Sequence, residues 1–318
     1  MKKRTVALLS GGISSEREVS LKSGDQVCEA LDKEKYDVRR YDPECDLKRL
    51  VDEAARIDVA LIILHGEFGE DGRIQGLLDL LNIPYQGSGV LGSATAMNKL
   101  VSKQLYEKAG LPVPSFIAFN RGDRVEPEAV IKQLGLPVVV KPASNGSSIG
   151  MSIARTVDDI VQAVEKAFEY DELILLESFI EGIELTCGVI GNDAVEALPV
   201  IEIVPKQGHD FFDYHAKYTA GETSEICPAR IDDAVAEKTK QYAVAAHQAL
   251  FCSGYSRTDM ILKGEDIYVL ETNTIPGMTK TSLFPLAAQA GGISFADLLD
   301  KLIELGIQRH ESIRQLKR

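Results

Sequence analysis

Residues 257–285, RTDMILKGEDIYVLETNTIPGMTKTSLFP, decide how the C-terminal part of this chain folds. Two short apolar segments, 258–262 and 267–272, flank the turn-forming residues 264–266. Short apolar and β-branched runs separated by a glycine-containing turn are typical of two antiparallel strands. The stretch therefore predicts a β-hairpin.

The predicted hairpin brings three oxygen-bearing side chains together. If it folds about Glu265, Asp259 lies opposite Glu271, and Asn273 shares their face because side chains alternate along a strand. Carboxylates that face each other at about 5 Å repel, so we expect a cation between them. Hard oxygen ligands favour Mg²⁺ over zinc or copper. The alternative is an exposed hairpin whose acids are solvated.

Size and composition limit the class of protein. With 318 residues, 45% of them hydrophobic, the chain is long enough for two or three domains with a sizeable core. The net charge of −13 disfavours a general nucleic-acid or anionic-membrane binder. Five scattered cysteines without a CxxC pair indicate reduced thiols. The apolar run at 6–9 is too short for a signal peptide, and no stretch approaches the roughly 20 residues of a membrane span. We therefore expect a soluble, cytoplasmic protein.

The N-terminal part has the rhythm of a parallel α/β unit. Apolar runs at 5–9 and 59–64 each end in a glycine turn, and helical patterns follow at 18–31 and 72–81. Ligands of such sheets bind beyond the C-terminal ends of the strands. We place this first domain at residues 1–93.

The remainder of the chain predicts a second strand-rich unit. The expected helices are at 94–112, 157–167, 234–251 and 295–305, and the expected strands are at 137–141, 151–154, 173–179 and within 183–204. Residues 207–225 are polar and carry little periodicity, which indicates a loop that could act as a lid.

A second group of residues has the chemistry of a nucleotide site. The glycine–serine loop 145–150 follows Lys141 and could offer backbone N–H groups to phosphate oxygens. It is not a P-loop, because no GK[ST] follows, so an ordinary hairpin turn is the alternative. Residues 177–180 end an apolar strand whose backbone edge could bind an adenine, and Glu184 could bind a ribose. The alternative is a plain edge strand with solvated acids.

Other candidate residues stand near the strand ends. Glu16 could pair with a substrate ammonium, or it could be only an acidic residue in the first turn of a helix. GxGxxG is absent there, which disfavours a dinucleotide site. His65 could contact a substrate or Glu16, or be structural. Ser282 could hold a carboxylate, and this is compatible with a helix N-cap.

Taken together, the chain resembles the D-alanine–D-alanine ligases of the ATP-grasp superfamily. The resemblance runs nearly end to end and rests on the order and spacing of five segments: GGISSEREVSL at 11–21, HGEFGEDG at 65–72, KPASNGSSIGM at 141–151, DYHAKY at 213–218 and ETNTIPGMTKTSL at 271–283. It implies an α/β fold of three domains, in which a parallel N-terminal domain precedes a central α+β domain at 94–180 and a C-terminal α+β domain at 181–318 that clasp ATP between them. It also implies two Mg²⁺ (or Mn²⁺) ions, two D-alanines as substrates, and a homodimer with no nucleic-acid or membrane partner.

The resemblance implies three sets of site residues. The nucleotide set is Lys99, Lys141, Ser147, Ser148, Glu177, Phe179, Ile180 and Glu184. The metal ligands are Asp259, Glu271 and Asn273. The residues that bind the D-alanines are Glu16, His65, Lys217, Ser282 and Leu283, and those with catalytic roles are Glu16, Ser147, Tyr218, Arg257 and Gly277. Arg257 and the backbone of Gly277 are implied to stabilise the oxyanion, and Tyr218 is implied to link the lid to Ser147 and Glu16.

Three positions depart from the common wording of the family, and three rivals follow. His215 stands in DYHAKY where an acid or amide is frequent, Ser178 stands where a lysine is frequent, and Phe68 stands in a variable part of the HGxxGEDG loop. One rival is a ligase that joins D-alanine to D-lactate or D-serine, although Tyr218 favours the dipeptide product. Another is a non-catalytic nucleotide sensor, and the most distant is a nicotinamide-dependent oxidoreductase.

Overall fold

The computed structural model describes residues 3–146, 149–205 and 223–316. In this part of the chain, strands form sheets of three, four and six members. The strands are β1 (Arg4–Leu9), β2 (Tyr36–Tyr41), β3 (Val59–Ile62), β4 (Phe116–Asn120), β5 (Val138–Pro142), β6 (Ser152–Ala154), β7 (Leu173–Ser178), β8 (Ile183–Gly191), β9 (Glu196–Ala197), β10 (Ile201–Pro205), β11 (Thr223–Ile226), β12 (Gly254–Lys263) and β13 (Asp266–Asn273).

The helices pack against these sheets. They are α1 (Arg17–Ala30), α2 (Leu47–Glu53), α3 (Arg73–Leu80), α4 (Val90–Met97), α5 (Lys99–Lys108), α6 (Pro127–Leu134), α7 (Val157–Phe168), α8 (Asp233–Ala249), α9 (Leu283–Ala290) and α10 (Phe295–Leu316). No helix in the described segments has both the length and the apolar composition that crossing a bilayer requires.

The N-terminal sheet is parallel, which confirms the predicted α/β unit. Its order is β2-β1-β3, and β1 is buried along nearly its whole length. Sequence reasoning missed β2 because its central residues are charged and its burial is confined to Tyr36 and Tyr41 at the two ends. An edge strand of this kind has too little apolar alternation to be recognised.

The central sheet is antiparallel, in the order β4-β7-β5-β6. One face packs on α6 and α7 through a core that includes Val138, Val140 and Leu176. Because side chains alternate along a strand, Val139, Lys141 and Glu177 lie on the opposite face. The predicted strands on either side of the 145–150 loop are confirmed, since β5 pairs with β6.

The third sheet contains the hairpin predicted from residues 257–285. Its order is β11-β10-β8-β12-β13, and β12 is paired on both sides. Asp259 pairs with Glu271 as predicted, but the turn is not centred on Glu265, because Lys263 pairs with Asp266. A register shift between Asp259 and Met260 restores the predicted pairing. Without this irregularity, Asp259 would face the residue before Glu271.

Two predicted helix boundaries are wrong. The single helix expected at 94–112 is divided into α4 and α5 at Asn98, whose backbone is extended (φ −87°, ψ 106°) and whose side chain accepts hydrogen bonds from Leu100 N and Val101 N. Asn competes with the helix in this way. The last helix continues beyond Leu305 to Leu316. Gly306, within this helix, is a packing position, since a Cβ there would lie 2.6 Å from the Tyr85 backbone.

His247 is a buried histidine at the end of α8, behind the third sheet. Its Nδ1 lies 2.7 Å from Ser256 Oγ on β12, and its side chain is almost fully buried. Burial lowers the pKa of His247 from 6.5 to about 4. The unfolded chain therefore binds a proton at a pH where the folded protein does not, so the free energy of unfolding falls as the pH drops from above 6.5 to about 4.

We expect His247→Asn to flatten the acid limb of the stability profile, since an amide can keep a hydrogen bond to Ser256 and does not titrate. Between pH 8 and pH 4, wild type should lose about 3 kcal/mol more than the variant. Urea unfolding at both pH values measures this difference. His310→Asn, at a half-buried position on α10, serves as the control and should change the profile less. Parallel profiles for wild type and His247→Asn would contradict the assignment.

Candidate active site

A cleft between the central sheet and the third sheet collects most of the predicted nucleotide and metal residues. The predicted residues that line it are Lys99, Lys141, Glu177, Phe179, Ile180, Glu184, Asp259 and Glu271. Its apolar walls are formed by residues that include Val139, Met151, Ile153, Ile261 and Leu270. A pocket with apolar walls and a few convergent charged groups is typical of a small-molecule site.

On the side of the central sheet, Glu177 is held between two lysines. Lys141 Nζ lies 2.9 Å from Glu177 Oε1, and Lys103 Nζ lies 3.2 Å from Glu177 Oε2. Burial acts to raise the pKa of Glu177, but Lys103 and Lys141 outweigh it and hold the pKa below its usual value. Sequence reasoning gave no role to Lys103. The available signal was its position one helical turn after Lys99.

On the side of the third sheet, Asp259 accepts four hydrogen bonds. Arg257 Nε donates to Oδ1 at 2.8 Å and Arg257 Nη2 to Oδ2 at 2.7 Å. Thr186 Oγ1 donates to Oδ1 at 2.6 Å, and Asn273 Nδ2 donates to Oδ2 at 3.1 Å. Thr186, on the neighbouring strand β8, was missed because nothing in the sequence indicates that β8 pairs with β12.

Positive side chains balance both carboxylates of the hairpin. Arg257 neutralises Asp259, and Lys99 Nζ lies 3.9 Å from Glu271 Oε2. Lys99 Nζ also donates to the Asn145 carbonyl at 2.5 Å, which ties α5 to the start of the glycine–serine loop. The charge repulsion that the sequence predicts is therefore relieved in part by cationic groups of the chain itself.

The hairpin has the donor chemistry that suits a hard divalent cation. Two carboxylates and one amide, from Asp259, Glu271 and Asn273, offer only hard oxygens as ligands. Among residues 3–146, 149–205 and 223–316, no group of three or more His, Cys, Asp or Glu side chains is arranged to hold a metal ion. The predicted ligand set contains only two carboxylates, so its third ligand is the amide oxygen of Asn273.

The carboxylate of Glu16 reaches the glycine–serine loop from the N-terminal domain. A Cβ on Gly66 would lie 2.8 Å from Glu16 Oε2, and one on Gly146 would lie 3.1 Å from the same atom. Glu16 is buried just before α1, and it makes no side-chain capping hydrogen bond. The two glycines therefore leave room for this carboxylate between two segments that are far apart in sequence.

The loop after β3 is joined to the segment after β13. Glu70 accepts hydrogen bonds from Gly66 N at 2.8 Å and from Ile275 N at 3.2 Å. Burial and the charge of Glu16 raise the pKa of Glu70 to about 8. Burial also lowers the pKa of His65, which lies next to these residues. At the start of α3 it is Asp71, and not Glu70, that accepts from Arg73 N, at 3.0 Å.

The segment 277–283 begins α9 close to this junction. A Cβ on Gly277 would lie 3.0 Å from Ser282 Oγ. Ser282 precedes α9 but makes no side-chain cap; its hydroxyl instead accepts from Thr279 N at 3.1 Å. The side chain of Leu283 packs in the core. Ser147, Ser148, His215, Lys217 and Tyr218 lie outside the described residues.

Two antiparallel sheets that face each other across a cleft lined by lysines and carboxylates are typical of the ATP-grasp class of fold. A family model for the D-ala D-ala ligase N-terminus matches residues 39–88, and one for the D-ala D-ala ligase C-terminus matches residues 105–304. The chain therefore belongs to the D-alanine–D-alanine ligase family, and the resemblance seen in the sequence is confirmed.

Individual relatives agree with this assignment. A D-alanine–D-alanine ligase of Syntrophobacter fumaroxidans is 62% identical over 306 residues, which are 96% of this chain and 98% of that protein. The crystal structure of the D-alanine–D-alanine ligase of Bacillus anthracis complexed with ATP has a TM-score of 0.85 and 34% identity, covering 98% of this chain and 99% of that one. A D-Ala:D-Ser ligase of Enterococcus faecalis has a TM-score of 0.81 and 33% identity, covering 96% of this chain and 100% of that one.

Proposed function

We propose that the chain joins two molecules of D-alanine to D-alanyl-D-alanine, with ATP converted to ADP and phosphate, for the synthesis of peptidoglycan precursors. The observation that carries the proposal is the meeting, around one cleft, of Lys141, Asp259 and Glu271, with Glu16 next to Gly146 near the start of the glycine–serine loop. These groups come from all three sheets or from the loops next to them.

The reaction requires activation of one carboxylate. A free carboxylate is a poor acylating agent because its leaving group is oxide, whereas an acyl phosphate has a leaving group that departs readily. Transfer of the terminal phosphoryl group of ATP to the first D-alanine gives D-alanyl phosphate, and the amine of the second D-alanine then displaces phosphate. Water has to be excluded or the acyl phosphate hydrolyses. Of the loop predicted at 207–225, residues 223–225 belong to β11, so we assign this role to residues 207–222, with Lys217 and Tyr218.

Lysines and backbone groups bind the nucleotide in this proposal. Lys99 and Lys141 contact its phosphates, and Ser147 and Ser148 lie in the loop that closes over them. The strand end at Glu177, Phe179 and Ile180 frames the adenine, and Glu184 binds the ribose. The position of these described residues along one cleft supports the assignment.

The amino acids are bound where the N-terminal domain meets the hairpin. Glu16, with His65 nearby, binds the ammonium of the first D-alanine. Arg257 and the backbone N–H of Gly277 stabilise the oxyanion. Ser282 and the backbone at Leu283 bind the carboxylate of the second D-alanine. The 3.0 Å approach that a Cβ on Gly277 would make to Ser282 Oγ supports a shared pocket, since a side chain at 277 would crowd it.

Asp259, Glu271 and Asn273 would hold the two divalent ions, Mg²⁺ or Mn²⁺. When bound, the ions neutralise charge on the transferring phosphoryl group. Both oxygens of Asp259 accept hydrogen bonds from Arg257, so the guanidinium and a metal ion compete for this carboxylate. A homodimer and a cytoplasmic location remain parts of the proposal, and the domain boundaries at residues 93 and 180 remain predictions.

Phosphate release from ATP and Mg²⁺ tests the function directly. We expect D-alanine alone to support steady phosphate release, with D-alanyl-D-alanine as the product identified by mass spectrometry. D-Lactate or D-serine added as the second substrate should compete weakly at neutral pH. Preference for D-lactate or D-serine at neutral pH would favour the corresponding rival ligase. Absence of phosphate release with D-alanine would favour the nucleotide sensor.

A further inference from the structure

Lys103 is a buried lysine to which the proposed mechanism assigns no role. Its side chain has no exposed surface, and its ammonium lies 3.2 Å from Glu177 Oε2 and 5.8 Å from the centre of the Phe116 ring. Among the residues that the structure describes, Glu177 is the one carboxylate within ion-pair distance of Lys103. A buried ammonium with a single anionic partner is costly unless that pairing serves a purpose.

Lys103 and its partner Glu177 belong to different parts of the fold. α5 is anchored on the third sheet, because Tyr106 donates to Thr272 Oγ1 at 2.7 Å and packs in the same core as Met260 and Val269. Glu177 belongs to the central sheet. The ion pair therefore links the third-sheet side of the cleft to the central-sheet side. It adjoins Lys141, the lysine proposed to contact phosphate, because Lys141 binds the other oxygen of the same carboxylate.

Glu177 is shared between two ammonium groups. Lys141 Nζ lies 2.9 Å from Oε1, and Lys103 Nζ lies 3.2 Å from Oε2. The three charged groups together carry one net positive charge. If Lys103 were neutral, Glu177 would pair with Lys141 alone, and the remaining pair would carry no net charge toward the cleft.

We infer that Lys103 is a positioning residue of the nucleotide site: by sharing Glu177, it leaves Lys141 with the positive charge that the phosphates of ATP require. The inference rests on the proposed function, because it takes Lys141 as a phosphate contact. The effect of Lys103 on ligand affinity is then electrostatic. It depends on the phosphates of the ligand and not on the base or ribose.

The test compares ligands that differ in phosphate charge. Isothermal titration calorimetry with ATP, ADP and adenosine should show that Lys103→Met weakens ATP and ADP binding about ten-fold or more, since a nearby unit charge is removed in a poorly screened site. Adenosine binding should change less than about two-fold. Lys103→Arg keeps the charge and should bind ATP within a few-fold of wild type. Lys108→Met, at an exposed position on the same helix, should bind all three ligands as wild type does.

A double variant separates charge from packing. Lys103→Met with Glu177→Gln removes a buried ion pair without changing side-chain size much, a change that buried sites often tolerate. It leaves Lys141 without its carboxylate partner, so the phosphates of ATP should be bound more strongly than in Lys103→Met. Because Glu177 is also assigned to the adenine, this gain is measured as the ratio of ATP affinity to adenosine affinity, which should be higher in the double variant. This comparison keeps the inference testable even if Lys103→Met folds poorly.

The outcomes distinguish the inference from the function on which it rests. Wild-type protein that binds no ATP overturns both. Wild-type protein that binds ATP, together with a Lys103→Met variant that loses ATP and adenosine equally, overturns the inference alone and makes Lys103 a packing residue. A double variant whose ratio of ATP affinity to adenosine affinity is no higher than that of Lys103→Met also overturns it.

Discussion

Replacing Glu271 by Gln is expected to lower kcat for phosphate release by roughly a hundred-fold or more, because losing a metal ligand costs at least as much as losing the groups that orient one. The amide keeps the shape of the side chain but cannot supply a carboxylate. Glu271 is 28% exposed, and because glutamine has nearly the same volume, packing around the side chain should change little. The melting temperature should therefore move by only about 2 °C, which corresponds to about 1 kcal/mol for a chain of this length.

Glu265→Gln is the matched control, since it makes the same chemical change at the exposed turn of the same hairpin. It should leave both kcat and the melting temperature unchanged. Steady-state phosphate release and thermal unfolding, measured on both variants, are sufficient. If Glu271→Gln kept most of its activity, the assignment of the hairpin as the metal site would be wrong.

The prediction of the hairpin shows what local sequence can and cannot determine. Apolar alternation around Gly264 was enough to place two strands and to pair Asp259 with Glu271. The turn, however, is not symmetric about Glu265, because Lys263 pairs with Asp266. The pairing of Asp259 with Glu271 is recovered by a register shift between Asp259 and Met260. Such an irregularity depends on how β13 packs, so the sequence does not reveal it.

Helix ends were mispredicted for opposite reasons. Asn98 was not recognised as a break because a single polar residue is common inside helices, and its effect depends on the hydrogen bonds that its side chain makes to Leu100 N and Val101 N. The last helix was expected to end at Leu305, but it continues through Gly306, whose missing side chain permits close contact with Tyr85. In both cases the decisive contact is visible only in three dimensions.

The sequence predicted those site residues that belong to a recognisable motif. It did not predict residues whose role depends on a contact with a distant part of the chain. Lys141, Asp259 and Glu271 were placed from local pattern and family resemblance, and they line one cleft. Lys103 and Glu70 were not, because their roles depend on partners more than 70 residues away along the chain, at Glu177 and Ile275 respectively. The partner of a buried charge is a property of the packed domains.

Arg257→Gln is expected to impair stability and turnover together. The Arg257 side chain is 12% exposed and that of Asp259 is 9% exposed, so removing the guanidinium leaves a buried carboxylate with only neutral donors. Breaking a buried pair in this way costs about 3–5 kcal/mol in the free energy of unfolding. If Arg257 also stabilises the oxyanion, kcat should fall by about 10²–10³. Urea unfolding without ligands and phosphate release under saturating substrates measure the two effects separately.

Arg121→Gln is the control for the stability effect. Arg121 Nε donates to Glu172 Oε1 at 2.7 Å, but the two side chains are 47% and 79% exposed. Solvent screens such a pair, so its loss should cost no more than about 1 kcal/mol. Equal destabilisation by the two variants would contradict the view that the Arg257–Asp259 pair is a buried, charge-balancing contact.

Competition between Arg257 and a metal ion for Asp259 gives a final test that does not require activity. In wild type, Mg²⁺ without nucleotide has to displace hydrogen bonds from the guanidinium to both oxygens of Asp259. In Arg257→Gln the carboxylate lacks that cation, so Mg²⁺ should bind more tightly and raise the melting temperature by more than it does in wild type. The same addition to Arg121→Gln should act as in wild type. If Mg²⁺ stabilised all three proteins equally, Asp259 would not be the ligand for which Arg257 and the metal compete.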